Sequence, residues 1–330
     1  MSCAIAPARR SPEVEAAWRR ENDELRDRFS LSTIISRKTA LKRAGRELVG
    51  LCFMHQEKTP SLYVNDQLGL YLCRGCGASG DIFRAVMEIE GLSFIEARRW
   101  LGASDLPKAD PAARIQARAR DDAERAARID DAHEVWASTV PLAGTPGAAY
   151  LESRGITVWR ESIRFGRTWA WRDHETGETG PSMPALIGAV VDGAGLLTGL
   201  QRIFLLPDGS GKARMDRPKL SLGAVRGGAL RLGPPAPEIL ICEGPEDGLT
   251  LAQERPRSSV WVALGTSNMP AIRYPDIVRR IVICSQNDRA GEAATSAAAS
   301  ALLDQGYLVD VAYPAPAYKD WNDQLRGRAR

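Results

Sequence analysis

Gly50-Leu-Cys52-Phe-Met-His55-Gln-Glu57-Lys-Thr-Pro-Ser61-Leu-Tyr63-Val64, followed by Tyr71-Leu-Cys73-Arg-Gly-Cys76-Gly-Ala-Ser-Gly-Asp81, holds two short pairs of soft metal ligands in β-rich surroundings. Cys52, His55, Cys73 and Cys76 offer three thiolates and one imidazole, a tetrahedral set suited to Zn²⁺. Each pair sits on a tight turn that lets both ligands face inward, the pattern of a zinc ribbon. Four protein ligands leave no position for water, so the expected ion is structural and not hydrolytic. A disulfide reading is disfavoured in a chain with six cysteines and no secretory segment. Cys3, Cys242 and Cys284 read as a terminal residue and two buried strand residues.

The residues around the ligands carry more information than the ligands do. The Glu57-Lys58-Thr59-Pro60-Ser61 stretch, the Cys73–Gly77 knuckle, Gly80-Asp81, Ile82-Phe-Arg-Ala-Val-Met-Glu88 and Leu92-Ser-Phe-Ile-Glu-Ala97 resemble the zinc-binding domain of DnaG-type bacterial primases. Met54 stands where that family usually carries another apolar or aromatic residue.

Length and composition set looser bounds. A chain of 330 residues has room for two or three domains. Its 26% charged and 44% hydrophobic residues are ordinary for a globular protein. The formal net charge of +3 is small, but its distribution is uneven. A basic tract runs from Gln201 to Leu232, and acids slightly outnumber bases from Ala236 onward. A basic tract beside an acidic one suits an enzyme that handles nucleic acid with metal ions, and a solvated strand would produce the same tract. No apolar run is long enough for a transmembrane helix, and the N-terminus lacks a signal-peptide core. The expected location is cytoplasmic, with no membrane partner.

Residues 12–36 read as helical, Leu41–Leu51 and Ser61–Leu72 as strands, and Asp81–Glu90 and Phe94–Leu101 as helices. Ser93-x-x-Glu96 is a capping box. Pro107–Pro111 breaks the pattern, and Ala112–Val135, rich in Ala and opposite charges, reads as a solvated connecting helix. Asp192-Gly193 lies between the apolar runs Ala185–Val191 and Leu196–Leu206 and signals a hairpin. Asp208-Gly-Ser-Gly-Lys212 lacks the residues of a phosphate-binding P-loop, so no ATPase motor is expected. From Glu238 onward, short apolar strands alternate with helices, which implies a parallel sheet with helices on its faces.

In such sheets the active residues gather at the carboxyl ends of strands. Glu243 follows Glu238-Ile-Leu-Ile-Cys242, Asp288 follows Ile281-Val-Ile-Cys284, and Asp320 and Asp323 follow the last strand. Carboxylates on one edge repel one another unless divalent cations hold them together, and hard oxygen donors favour Mg²⁺ or Mn²⁺. In order and on these elements, the segments resemble a Toprim domain. That resemblance implies Asp288, Asp320 and Asp323 as metal ligands and Glu243 as a ligand or proton-transfer group. Asp247 would support the Glu243 turn. The Toprim pattern at the second strand is Asp-x-Asp, but here Gln286-Asn287-Asp288 puts a neutral amide first. Arg202 and Lys219 match the bases that contact template and nucleotide in DnaG-type primases.

The expected fold class is therefore α/β and α+β multidomain. It comprises a zinc-binding domain with an N-terminal helix (1–106), a helical connector (107–145), a basic subdomain (146–235) and a Toprim-type parallel α/β sheet (236–330). The resemblance implies a DNA primase that makes short primers, expected to be RNA, on single-stranded DNA from nucleoside triphosphates. One structural Zn²⁺ and catalytic Mg²⁺ or Mn²⁺ go with it. Tyr63 and Tyr71 of the ribbon are candidates for stacking on bases or for a small core. An impaired, nucleic-acid-binding relative, marked by Gln286, is the alternative; a Toprim nuclease leaves the ribbon unexplained. The chain ends soon after Asp323, so a separate helicase partner and a mobile-element or phage setting are expected.

Overall fold

The computed structural model describes residues 12–45, 47–104, 106 and 111–329, which form two compact units divided at Ala123 and Glu124. The first contains α1 (Pro12–Arg28), α2 (Leu31–Ile35), β1 (Lys42–Ala44), β2 (Glu47–Gly50), β3 (Leu62–Asn65), β4 (Leu70–Cys73), β5 (Ser79–Gly80), α3 (Ile82–Glu90) and α4 (Phe94–Gly102). Its five strands pair antiparallel in chain order. Alternation buries Leu62 and Val64 of β3 and Tyr71 and Cys73 of β4, which join Leu31, Ile34, Phe83 and Val86 in one core.

Local chemistry sets the turns of this unit. The Asn65 side chain accepts from the amides of Gln67 and Leu68, at 3.1 and 2.9 Å, and closes the β3–β4 turn. Asp81 caps α3, and the Ser93–Glu96 capping box forms as expected at α4. The helix expected over 12–36 is instead two helices. Phe29 turns into the core, and Asp66 accepts from both the amide and the hydroxyl of Ser32, which redirects the chain. The runs Leu41–Leu51 and Ser61–Leu72 are likewise hairpins and not single strands.

α5 (Pro111–Ala137) runs through the division between the units. Its last turns are not solvated: Ala132 and Val135 are buried with Ala185, Ile187 and Leu200. Most of the expected Pro107–Pro111 break lies outside the described residues, as does Cys3.

The second unit continues with α6 (Pro146–Ser153), β6 (Ile163–Thr168), β7 (Met183–Val191), β8 (Leu197–Phe204), β9 (Lys219–Gly223), β10 (Ala229–Arg231), β11 (Glu238–Cys242), α7 (Pro245–Glu254), β12 (Ser259–Val262), β13 (Arg280–Cys284), α8 (Arg289–Asp304), β14 (Leu308–Ala312) and α9 (Trp321–Leu325). One nine-stranded sheet holds all of its strands, in the order β14-β13-β11-β12-β10-β7-β8-β9, with β6 also on β7. β11 through β14 are parallel. β10 pairs antiparallel with both β12 and β7 and joins this parallel half to an antiparallel half. The boundary expected at 235 and 236 thus falls in the β10–β11 connection, with strands of the same sheet on either side. Buried Leu, Ile and Val pack on both faces, as a sheet covered by helices requires.

Candidate metal centre and carboxylate cleft

Cys52 and His55 lie in the loop after β2, Cys73 ends β4, and Cys76 lies in the turn to β5. Their four donor atoms all fall within 4.8 Å of one another. A tetrahedral ion with Zn–S bonds of about 2.3 Å needs sulfurs about 3.8 Å apart, and Cys52 Sγ to Cys76 Sγ is 3.9 Å. Backbone amides support the thiolates: Gly75 and Cys76 donate to Cys73 Sγ at 3.3 and 3.4 Å, and Met54 donates to Cys52 Sγ at 3.3 Å. The residues present fit zinc.

The Glu57-Lys-Thr-Pro-Ser61 stretch has a physical role here. The Glu57 carboxylate accepts from the Cys52 amide at 2.7 Å and from the Ser61 hydroxyl at 2.5 Å, and lies 3.3 Å from His55 Nε2. One carboxylate thereby orients two ligands. A Cβ on Gly75 would meet Ser61 Oγ at 2.9 Å and the His55 ring at 3.0 Å, so the knuckle needs glycine. Tyr71 is a core residue against Phe53, and burial pushes its hydroxyl up to about 12. Tyr63 is half-buried, with the Arg74 guanidinium 3.9 Å from its ring centre.

In the second unit, an open cleft of about 350 Å³ is lined by Gln201, Lys219, Ser221, Glu243, Gly244, Pro245, Leu264 and Gln286. Glu243 is exposed at the end of β11. Its carbonyl accepts from Leu264, whose φ of 62° is the one positive value among the described non-glycine residues. A bulky residue in that region stores about 1–3 kcal/mol of strain, which functional sites commonly hold. Asp288 caps α8, accepting from Gly291 N at 2.7 Å, and its other oxygen lies 3.8 Å from Lys319 Nζ. Asp320 caps α9, accepting from Asp323 N at 2.7 Å.

Strand order brings these acids to one edge, since β11, β13 and β14 are parallel neighbours. They do not close into a single-ion cage. Among the described residues, the zinc quartet is the one group of three or more such ligands whose donor atoms lie within 4.8 Å of one another. The oxygens are hard donors that suit Mg²⁺ or Mn²⁺ in type.

Asp247 ties the edge together. Its buried carboxylate accepts from Gln286 Nε2 and from the Asn322 amide, both at 3.1 Å. Burial, with Asp320 as the next cause, pushes it up to about 6. Asn287 donates its side-chain amide to the carbonyls of Pro314, Ala315 and Tyr318, fastening the loop that leads to Asp320.

Two basic residues expected in the site separate. Lys219 lines the cleft and reaches Glu246 at 2.8 Å. Arg202 does not face the cleft: it is 2% exposed, donates to the carbonyls of Trp169 and Ser221, and packs over Trp169 and Phe204. β8 alternates faces, so Gln201 points to the cleft and Arg202 to the core. The expectation that Arg202 contacts template or nucleotide is corrected accordingly. Burial lowers its pKa to about 10.

Sequence reasoning gave Lys212, Glu246 and Tyr150 no role in the site. Glu246 is 5% exposed and accepts from Lys212 and Lys219, each at 2.8 Å, and from the Tyr150 hydroxyl at 3.0 Å. The signal was present in Asp208-Gly-Ser-Gly-Lys212, which is not a P-loop but a tight turn. Gly209 has φ +75°, and a Cβ there would meet the Pro146 carbonyl at 2.2 Å.

Comparison with known proteins agrees with this geometry. Residues 18–107 match the CHC2 zinc finger family, residues 238–330 the Toprim domain family, and residues 126–232 a domain of unknown function, DUF7146. The chain thus joins a CHC2 zinc finger to a Toprim domain. It is similar to the DNA primase of Myxococcus xanthus, 36% identical over 151 residues that cover 44% of this chain and 24% of that protein. The DNA primase of Rickettsia prowazekii (strain Madrid E) is 45% identical over 73 residues, 22% of this chain and 12% of that one. The match therefore spans about a quarter or less of these relatives. The Aquifex aeolicus primase structure (zinc-binding and RNA polymerase domains) aligns over 93% of this chain and 82% of its own, at 20% identity and a TM-score of 0.42. In its zinc finger and Toprim modules the chain is similar to DnaG-type primases. No described helix is long and apolar enough to cross a membrane.

Proposed function

We propose that the chain is a primase that transfers nucleotides onto a growing primer on single-stranded DNA. The observation that carries this reading is the cleft between Lys219 and Glu243, in a chain that also carries a CHC2 zinc finger. Lys219 attracts the triphosphate of the incoming nucleotide, and Lys212 adds charge from the other oxygen of Glu246. Gln201 and Ser221, which line the same cleft and bond to each other at 3.2 Å, offer polar groups to sugar or base edges.

Glu243, exposed and lining the cleft, would act as a metal ligand or take the proton of the primer 3′-hydroxyl. Asp288, Asp320 and Asp323 would hold Mg²⁺ or Mn²⁺. When bound, such an ion neutralises charge on the transferred phosphoryl group. Asp247 and Asn287 hold the loops that present these acids. On the ribbon, Tyr63 and Arg74 form a stacked pair on which a single-stranded base can lie.

Gln286 favours a second reading, a relative with reduced catalysis retained for nucleic-acid binding. A neutral amide supplies no charge to a cation, and the acids around it stand apart. Incorporation of labelled nucleoside triphosphates on single-stranded DNA with Mg²⁺ or Mn²⁺ tests both. Product from the native chain, lost in Glu243→Ala, supports the primase. Product from Gln286→Asp alone supports the second reading, and none from either overturns the polymerase assignment.

A further inference from the structure

The Asp247 carboxylate is buried, yet no Lys or Arg pairs with it among the described residues. Asp320 and Glu246 act on it as like charges. Where such a group stays ionised, elementary electrostatics gives it two ways to persist: a cation beside it, or N–H donors aimed at both oxygens. Here each oxygen has one donor, Gln286 Nε2 on Oδ2 and the Asn322 backbone amide on Oδ1. These three residues belong to three different segments: the first turn of α7, the loop after β13, and α9. One carboxylate therefore clamps together the loops that carry Glu243, Asp288, Asp320 and Asp323.

We propose that Gln286 is a positioning residue that takes over a cation's structural task, so that this edge is assembled before any divalent ion binds. A carboxylate at 286 would stand about as close to Asp247 as the amide does. The pair would then repel across a buried gap, and the loops would need a cation to close them. With glutamine there, the N–H supplies partial positive charge at a fixed place, and ions are left to serve the substrate alone. This inference rests on the proposed function only in taking the edge as the one that binds divalent ions.

The test is thermal unfolding of the full chain at about pH 8, where free carboxylates are charged, first in Mg²⁺-free buffer without chelator, so that the zinc stays bound, and then in excess Mg²⁺. Four proteins are compared: native, Gln286→Glu, Gln286→Met and Gln286→Asn. The native midpoint should rise with Mg²⁺ by much less than that of Gln286→Glu, which should melt about 4 °C or more below native without Mg²⁺ and recover in its presence. Gln286→Met, which keeps the length and loses the donor, should melt lower in both conditions with no recovery. Gln286→Asn should respond to Mg²⁺ no more than native. A native midpoint that rises with Mg²⁺ as much as that of Gln286→Glu would overturn the proposal. So would a Gln286→Glu protein as stable as native in Mg²⁺-free buffer. Because unfolding is read without nucleotide transfer, an inactive protein could still pass this test, and an active one could fail it.

Discussion

The Tyr150 hydroxyl donates to Glu246 at 3.0 Å, a bond between α6 and α7 that closes the charge cluster of the second unit. Glu246 holds Lys212 and Lys219 on its two oxygens, so one buried carboxylate positions two ammonium groups near the cleft. Burial drives Lys212 down while Glu246 pulls it up, and the net direction is down. Such a cluster positions charge more than it stabilises the fold, because the desolvation of each ion opposes its attraction to the others.

Replacing Glu246 by Gln should cost roughly 1–3 kcal/mol at neutral pH, because both lysines lose their counter-charge while keeping partial access to water. Burial alone would raise the Glu246 pKa, but Lys219 and Lys212 outweigh it and hold it at about 2, below the ordinary 4.5. A depressed folded-state pKa stabilises fully above 4.5 and loses that contribution as pH falls toward 2. Urea unfolding across that window should therefore show the native and Glu246→Gln proteins converging in stability as the pH drops. Parallel curves would show that Glu246 is not ionised in the fold.

Arg202 and Lys219 should respond in opposite ways. Arg202→Met strips the donors from the carbonyls of Trp169 and Ser221 inside the core, and should cost about 2–3 kcal/mol in chemical denaturation. Lys219→Ala, at the cleft, leaves Glu246 with Lys212 and Tyr150, so it should cost less stability than Arg202→Met and raise the KM for nucleoside triphosphate by about 10-fold, the value of a lost charge-assisted contact. A nucleotide defect in Arg202→Met without loss of stability would contradict its placement in the core.

The zinc quartet makes a prediction confined to one unit. Stripping the ion, or Cys73→Ser, should abolish amide protection in β3, β4 and α3, while strands β7 to β13 keep theirs in hydrogen exchange. Elemental analysis should give one zinc per native chain. Protection that survives zinc removal in β3 and β4 would mean the apolar core alone holds the ribbon.

Gly209→Ala should destabilise the second unit by at least about 1–3 kcal/mol, the cost of a left-handed backbone for a residue with a Cβ. The added carbon would also press on the Pro146 carbonyl at the start of α6, so Lys212 should shift and nucleotide affinity should fall with stability. A thermal melt equal to that of the native protein would show the turn to be free to relax.

Much of the site was legible along the chain because its signals are local. Ligand spacing in Cys52-x-x-His55 and Cys73-x-x-Cys76 brings four donors together once two turns form, and each acid at a strand end is placed by the strand before it. Asp81, Asp288 and Asp320 all cap helices, a role any Asp before a helix can take. The break at Phe29 was hidden because the force that makes it, burial of one ring and an anchor on Asp66, comes from residues distant in sequence.

What the linear pattern decided, then, was the identity of the modules: a ribbon built around zinc, and a run of parallel strands with acids at their ends. Tertiary structure decided which charges meet. Arg202 and Gln201 are neighbours in sequence, but the pleat sends one into the core and the other to the cleft. Glu246 gains its partners only where α6, the 206–212 turn and β9 close around it. Gln286 read as a missing charge, and only the fold showed its amide on Asp247. Contacts between segments depend on sheet order and register, which no single stretch of residues encodes.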